Sequence, residues 1–170
     1  MAILRLAQLL AGLPDNIVKS ILPVNIRNIP DSFTVFGELK SDATSNPFNT
    51  TPTKFIGFNG ISTLVKGVTP EILNNKIIID KPGDFIVHMD ANIEADQNTF
   101  YYFEIRKNGL NIIQWQRMFL DTSNDTGIFS MTRHIELIGT DEIEVWIYSS
   151  TGSGTITINS MNLSVKRLLT

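Results

Sequence analysis

Two stretches, Phe100-Tyr-Tyr-Phe-Glu-Ile-Arg-Lys-Asn-Gly109 and Glu142-Ile-Glu-Val-Trp-Ile-Tyr148, constrain the fold of this chain more than any others. Both alternate as β-strands do, because successive side chains of a strand point to opposite faces. In the second stretch Ile143, Val145 and Ile147 share one face, and Trp146 and Tyr148 share the other. A strand with one face in a core and one in water carries polar groups on its second face. Here the second face carries large rings and needs a partner of its own. A subunit contact through Phe100, Tyr102, Trp146 and Tyr148 is therefore expected.

Period-two patterns continue along most of the chain. Strands are expected at residues 54–58, 61–68, 75–80, 83–95, 99–107, 111–119, 127–138, 142–149 and 154–167. Turn signals separate them: Asn59-Gly60, Lys81-Pro82-Gly83-Asp84, Asn108-Gly109, Gly139-Thr140-Asp141 and Thr151-Gly152-Ser153-Gly154. Asn108-Gly109 is the strongest hairpin signal, since a type I′ turn needs positive φ at both central residues. Phe85, Val87, Met89, Ala91 and Ile93 share a core face, opposite His88, Asp90, Asn92 and Glu94. In the last strand Ile156 and Ile158 change phase to Met161, Leu163 and Val165, which predicts a bulge near Asn159-Ser160. Phe103, Ile105, Ile135 and Leu137 complete the expected core. No helical pattern of useful length follows residue 40, so a sandwich or barrel is expected.

The N-terminus differs. Ile3, Leu6, Leu10 and Leu13 fall at helical spacing until Gly12-Leu13-Pro14 ends the pattern. A second short helix with Ile17 and Ile21 is expected before Pro23, and Val24, Ile26 and Ile29 then alternate as an extended arm. These side chains cannot bury one another, and each aliphatic group left in water forgoes about 1.5–3 kcal/mol. The arm either folds back on its own domain or oligomer, or docks on a different protein. Residues 41–53 are polar and interrupted by Pro47 and Pro52, which suggests a linker. The expected division is an attachment arm at 1–40, a linker at 41–53 and a β domain at 54–170.

Composition narrows the function. The net charge is −3 and no long basic run occurs, which disfavours nucleic acid and membrane surfaces as partners. The absence of cysteine excludes disulfides, thiolate zinc sites and a cysteine nucleophile. The apolar start is broken by Arg5 and Gln8 and offers no small-x-small cleavage site, so a signal peptide is not expected. No Gly-x-Ser-x-Gly elbow, phosphate loop or paired-His motif is present, and neither enzymatic activity nor a cofactor is expected. His88 and Asp90 could supply two metal ligands, but with no evident third the expected metal site is none. Asp141, Glu142 and Glu144 could ligate calcium, although an exposed loop and strand edge is the preferred reading. Glu104 and Arg106 share a face with Phe100 and Tyr102 and are candidates for ion pairs between subunits. Trp115 and Arg117 are candidates for binding a host-surface glycan, with ordinary packing of Trp115 preferred.

The order of Asp80-Lys-Pro-Gly-Asp-Phe-Ile-Val-His-Met89, the Phe100–Gly109 stretch, Ile135-Glu-Leu-Ile-Gly-Thr-Asp-Glu-Ile-Glu-Val-Trp-Ile147 and the final Thr155-Ile-Thr-Ile158…Leu163-Ser-Val-Lys-Arg-Leu168 resembles the tumour necrosis factor-like jelly roll. The resemblance covers about residues 54–168 and implies an all-β, antiparallel jelly-roll sandwich carrying a short helical and extended N-terminal arm. It also implies a homotrimer, with the two aromatic strands in the inner sheet and turned toward the threefold axis. With no Gly-X-Y stalk and no membrane anchor, an animal cytokine or complement-type protein is disfavoured. The Asn/Thr-rich composition looks most like small virion proteins of tailed bacteriophages. The role implied is a capsid decoration or head fibre on the outer surface of the particle. Ile3, Leu6, Leu10, Leu13, Ile17 and Ile21 would anchor it to a capsid or other virion protein. The alternative is a receptor- or glycan-binding tail-fibre tip.

Overall fold

The computed structural model describes residues 35–61, 65–95, 98–121 and 125–168, which belong to a compact unit beginning at Thr34. The proposed anchoring residues, from Ile3 to Ile21, lie outside the described residues. Among the described residues eleven strands form two antiparallel sheets. They are β1 (Phe36–Phe48), β2 (Thr53–Lys54), β3 (Gly60–Ile61), β4 (Val68–Glu71), β5 (Lys76–Ile79) and β6 (Gly83–Ala95), followed by β7 (Thr99–Lys107), β8 (Asn111–Leu120), β9 (Asp125–Leu137), β10 (Glu142–Ser149) and β11 (Gly154–Arg167). One sheet runs β3-β1-β11-β6-β9 and the other β4-β5-β10-β7-β8, with β2 also pairing β10. First and last strands, β1 and β11, are therefore neighbours, and the chain crosses repeatedly between the two sheets, with β4–β5 and β7–β8 as hairpins inside one of them.

The core forms where the two inner faces meet. Phe85, Val87, Met89 and Ile93 of β6 are fully buried against Phe103 and Ile105 of β7 and Ile143, Val145 and Ile147 of β10. All the core side chains expected from sequence are buried, apart from Ile135, which packs against the cluster half-exposed. The bulge in β11 is present: its register against β6 shifts between Ile158 and Ser160. The partner strand β1 matches it by skipping Ala43, whose φ is +49°. At the β7–β8 hairpin both Asn108 (φ 55°) and Gly109 (φ 70°) adopt the positive φ a type I′ turn needs.

Three stretches differ from the sequence reading. Residues 41–48 are no linker, because β1 pairs with β11 from Phe36 to Phe48. Pro47 is tolerated because β3 covers β1 only at Leu39 and Lys40, so the missing N–H faces an unpaired side. The expected strand at 54–58 is a ladder only at Thr53 and Lys54. After that the chain turns Phe55 and Phe58 into the core, where their rings meet edge to face at 4.8 Å. Of the expected strand at 61–68, Ile61 belongs to β3, 62–64 lie outside the described residues, Lys66 makes a lone bridge to Phe36, and Val68 begins β4.

Candidate functional site: an aromatic sheet face

The outer face of the β10-β7-β8 half of the second sheet brings together two sets of residues that the sequence reading had kept apart. Cross-strand pairing sets Tyr148 opposite Tyr102 and Trp146 opposite Glu104, then Tyr102 opposite Arg117, Glu104 opposite Trp115 and Phe100 opposite Phe119. The proposed subunit-contact residues and the proposed ligand residues Trp115 and Arg117 therefore occupy one continuous surface. Tyr102 joins the two sets. It stacks on Tyr148 at 4.6 Å and 7°, and lies 6.4 Å from Trp115. Phe100 and Phe119 meet at 5.0 Å, with the Arg117 guanidinium 5.1 Å from the Phe100 ring. In an unbroken strand Ile113 would share the face of Trp115. A register shift between Ile105 and Arg106 instead turns it toward the core.

The carboxylates threaded between the rings are paired within the chain. Glu104 is 3% exposed and accepts the Nε–H of Arg106 at 2.7 Å. The Arg106 guanidinium also donates to the Gly109 carbonyl at 3.2 Å and lies 4.5 Å from the Trp146 ring. Glu144, 6% exposed, takes Lys54 Nζ at 2.5 Å and the indole N–H of Trp146 at 3.2 Å. Glu142 pairs with Lys76 at 2.6 Å, and this contact holds the Lys76 ammonium above its ordinary pKa against the opposing effect of burial. Burial, with Glu104 beside it, raises the Tyr148 phenol. Glu104 and Arg106, expected to reach across subunits, therefore pair with each other. The sequence supplied these residues, but the partnership of Lys54 with Glu144, 90 positions apart, left no local signal.

The remaining candidates fall elsewhere. The acidic cluster is no exposed loop: Asp141 is 3% exposed and Glu144 lies in a strand flanked on both sides. Asp141 ties two turns together. Its carboxylate accepts the Ile138 N–H at 2.9 Å and the Asn108 amide at 3.0 Å, with Lys107 Nζ at 3.4 Å. On the other sheet His88 shares Nδ1 with Thr132 at 2.8 Å and Nε2 with Asp90 at 3.2 Å. His134 sits 3.8 Å from Asp84. Among the described residues no group of three His, Cys, Asp or Glu is placed to hold a metal ion.

Two antiparallel sheets in jelly-roll order, joined by short turns, define a tumour necrosis factor-like fold. Among solved structures the chain is similar to the Eiger TNF of S. frugiperda, with a TM-score of 0.60 over 79% of this chain and 92% of that one, at 6% identity. At that identity the likeness is one of fold alone. No family model matches the sequence, and no curated protein matches it either.

Proposed function

We propose that this chain is a non-enzymatic assembly protein of a tailed-bacteriophage particle: a homotrimeric capsid decoration or head fibre, attached through its N-terminal arm. The observation that carries the reading is the aromatic face. Phe100, Trp115 and Phe119 stay exposed beside half-buried Tyr102, Trp146 and Tyr148. The buried carboxylates between them already have partners, so an apolar surface can cover Glu104 and Glu144 without stranding either, while Arg117 lies against the Phe100 ring. A face rich in rings, whose buried carboxylates are already paired, suits a subunit contact.

The double variant Trp146→Ser/Tyr148→Ser is expected to shift the protein from trimer to monomer in light scattering coupled to size exclusion. A trimer of unchanged mass would sink the contact. Removing residues 1–30 should leave a folded trimer that no longer enters particles, and antibody labelling of intact virions locates the full-length protein. Particles that incorporate the truncated chain normally would reject the anchor.

A second reading is favoured by one observation. Trp115 is 53% exposed, its neighbours on the sheet face are Tyr102 and Arg117, and a ring so placed can stack on a sugar. Because Trp115 shares its surface with the proposed subunit contact, the two readings compete for the same rings. Glycan-array binding that disappears in Trp115→Ala, with the oligomer intact, selects the receptor-binding role.

A further inference from the structure

A sheet edge offers unpaired N–H and C=O groups to any other strand, and proteins protect long edges with charge, proline, brevity or cover. Three of the four edges here are protected in this way. β3 has two residues, and the part of β1 that it leaves open carries Asp42 and Pro47; β4 has four, including Pro70 and Glu71; β9 carries Asp125, Arg133, His134 and Glu136. The fourth edge, β8, is ten residues long, contains no proline and has Arg117 as its single charge. β7 is its only ladder partner among the described residues. Ile112, Trp115 and Phe119 stand exposed along it.

We propose that this edge is a self-association site, at which two copies of the chain join β8 to β8 antiparallel about a twofold axis at Gln116. The occupant follows from the side chains. Residues directly opposite in an antiparallel pair share a face. Centring the pair on Gln116 sets each copy's Trp115 against the other's Arg117, both on the outer face, and so makes two cation–π contacts. Gln114 then opposes Met118, and Gln116 meets its own counterpart amide to amide. Moving the centre to Arg117 would oppose two like charges, and moving it to Trp115 would place Arg117 against Ile113, which turns to the other face. The pairing spans Gln114–Met118 and stops where the irregularity at Ile112–Ile113 breaks the ladder.

This contact is made by the backbone edge of β8 and, through Trp115 and Arg117, meets the assigned threefold face only at its margin; it goes beyond that reading. With trimers it joins them in pairs; without them it yields dimers. It also covers Trp115, which opposes the glycan role.

The cysteine-free sequence allows a direct test. Opposed residues of an antiparallel pair lie about 4.5–5.5 Å apart between Cα atoms, within disulfide range. Full-length Gln116→Cys should form a disulfide-linked dimer under mild oxidation at least about tenfold faster than Ile112→Cys. The latter is also exposed, but its two copies would stand about 25 Å apart in this register. Equal rates, or no cross-link at either position, overturn the proposal. Gln116→Lys places like charges at the axis and should halve the mass in solution with the circular dichroism of the fold retained. A trimer of unpaired mass in the unsubstituted protein would sink the edge contact while leaving the threefold one standing.

Discussion

Glu104→Ala is expected to destabilise the folded chain by about 3–5 kcal/mol, the cost of removing one member of a buried ion pair. Glu104 is 3% exposed and the side chain of Arg106 14%, so the guanidinium left behind has little water to turn to. Its position over Trp146 depends on the carboxylate, and the Tyr148 phenol loses its neighbour as well. The double variant Glu104→Leu/Arg106→Leu removes both charges and replaces them with apolar volume, so it should be clearly more stable than Glu104→Ala alone. Urea midpoints of the two variants and of the unsubstituted chain check this. A double variant no more stable than the single one would show that the two groups do not act as a unit. The outcome bears on function because this pair, with Lys54 and Glu144, leaves neither buried carboxylate of the face without a cation. An unpaired buried charge there opposes any contact made through the rings.

The sheet architecture was legible wherever one face of a strand is purely apolar. The limits of β6, β7, β10 and β11 follow from alternation and turn residues alone, because Gly83, Asn108-Gly109 and the Gly152–Gly154 region punctuate them. The strand β1 was not legible as such, and its residues were divided between the expected arm and linker. Its inward positions include Ser41 and Asn46, both buried and polar, and Ala43 breaks the phase between them. Such a strand is held by its ladder to β11 more than by its own pattern, and a partner over a hundred residues away is invisible to a local window. The aromatic face shows the same division. Rings on the second face of two strands were visible in the sequence. That Tyr102 and Tyr148 would stack on each other, and that Lys54 and Arg106 would cover Trp146 and the carboxylates, depends on registers between β2, β10 and β7. Part of the partner those rings need therefore comes from within the chain. What is left uncovered concentrates on β8, where Trp115 and Phe119 are exposed.

Asp141→Ala should cost about 3 kcal/mol at neutral pH, because hydrogen bonds to a charged acceptor are worth about 1.5–3 kcal/mol each and two donors lose theirs. Those donors are the Ile138 N–H and the Asn108 amide. Asn108 in turn accepts the Glu142 N–H at 2.7 Å and donates its own backbone N–H to the Glu142 carbonyl at 2.9 Å. One carboxylate thus locks the β7–β8 hairpin to the β9–β10 turn, where Thr140 is held at a φ of +78°. Burial alone would raise the Asp141 pKa. The Ile138 N–H, the Asn108 amide and Lys107 outweigh it and hold the carboxyl below its ordinary value of 3.8. A carboxylate with a depressed folded pKa contributes stability that is fully present above the unfolded pKa and is lost as the pH falls through the folded one. The isosteric Asp141→Asn variant isolates this contribution, since every other group titrates alike in both proteins. Its urea midpoint should lie well below that of the unsubstituted chain from pH 5 to pH 7, and the gap should narrow steadily as the pH drops below 3.8. A gap independent of pH would show that the turn lock rests on shape and not on the charge of Asp141. The same hairpin carries β8, so loosening the lock should also slow the Gln116→Cys cross-link.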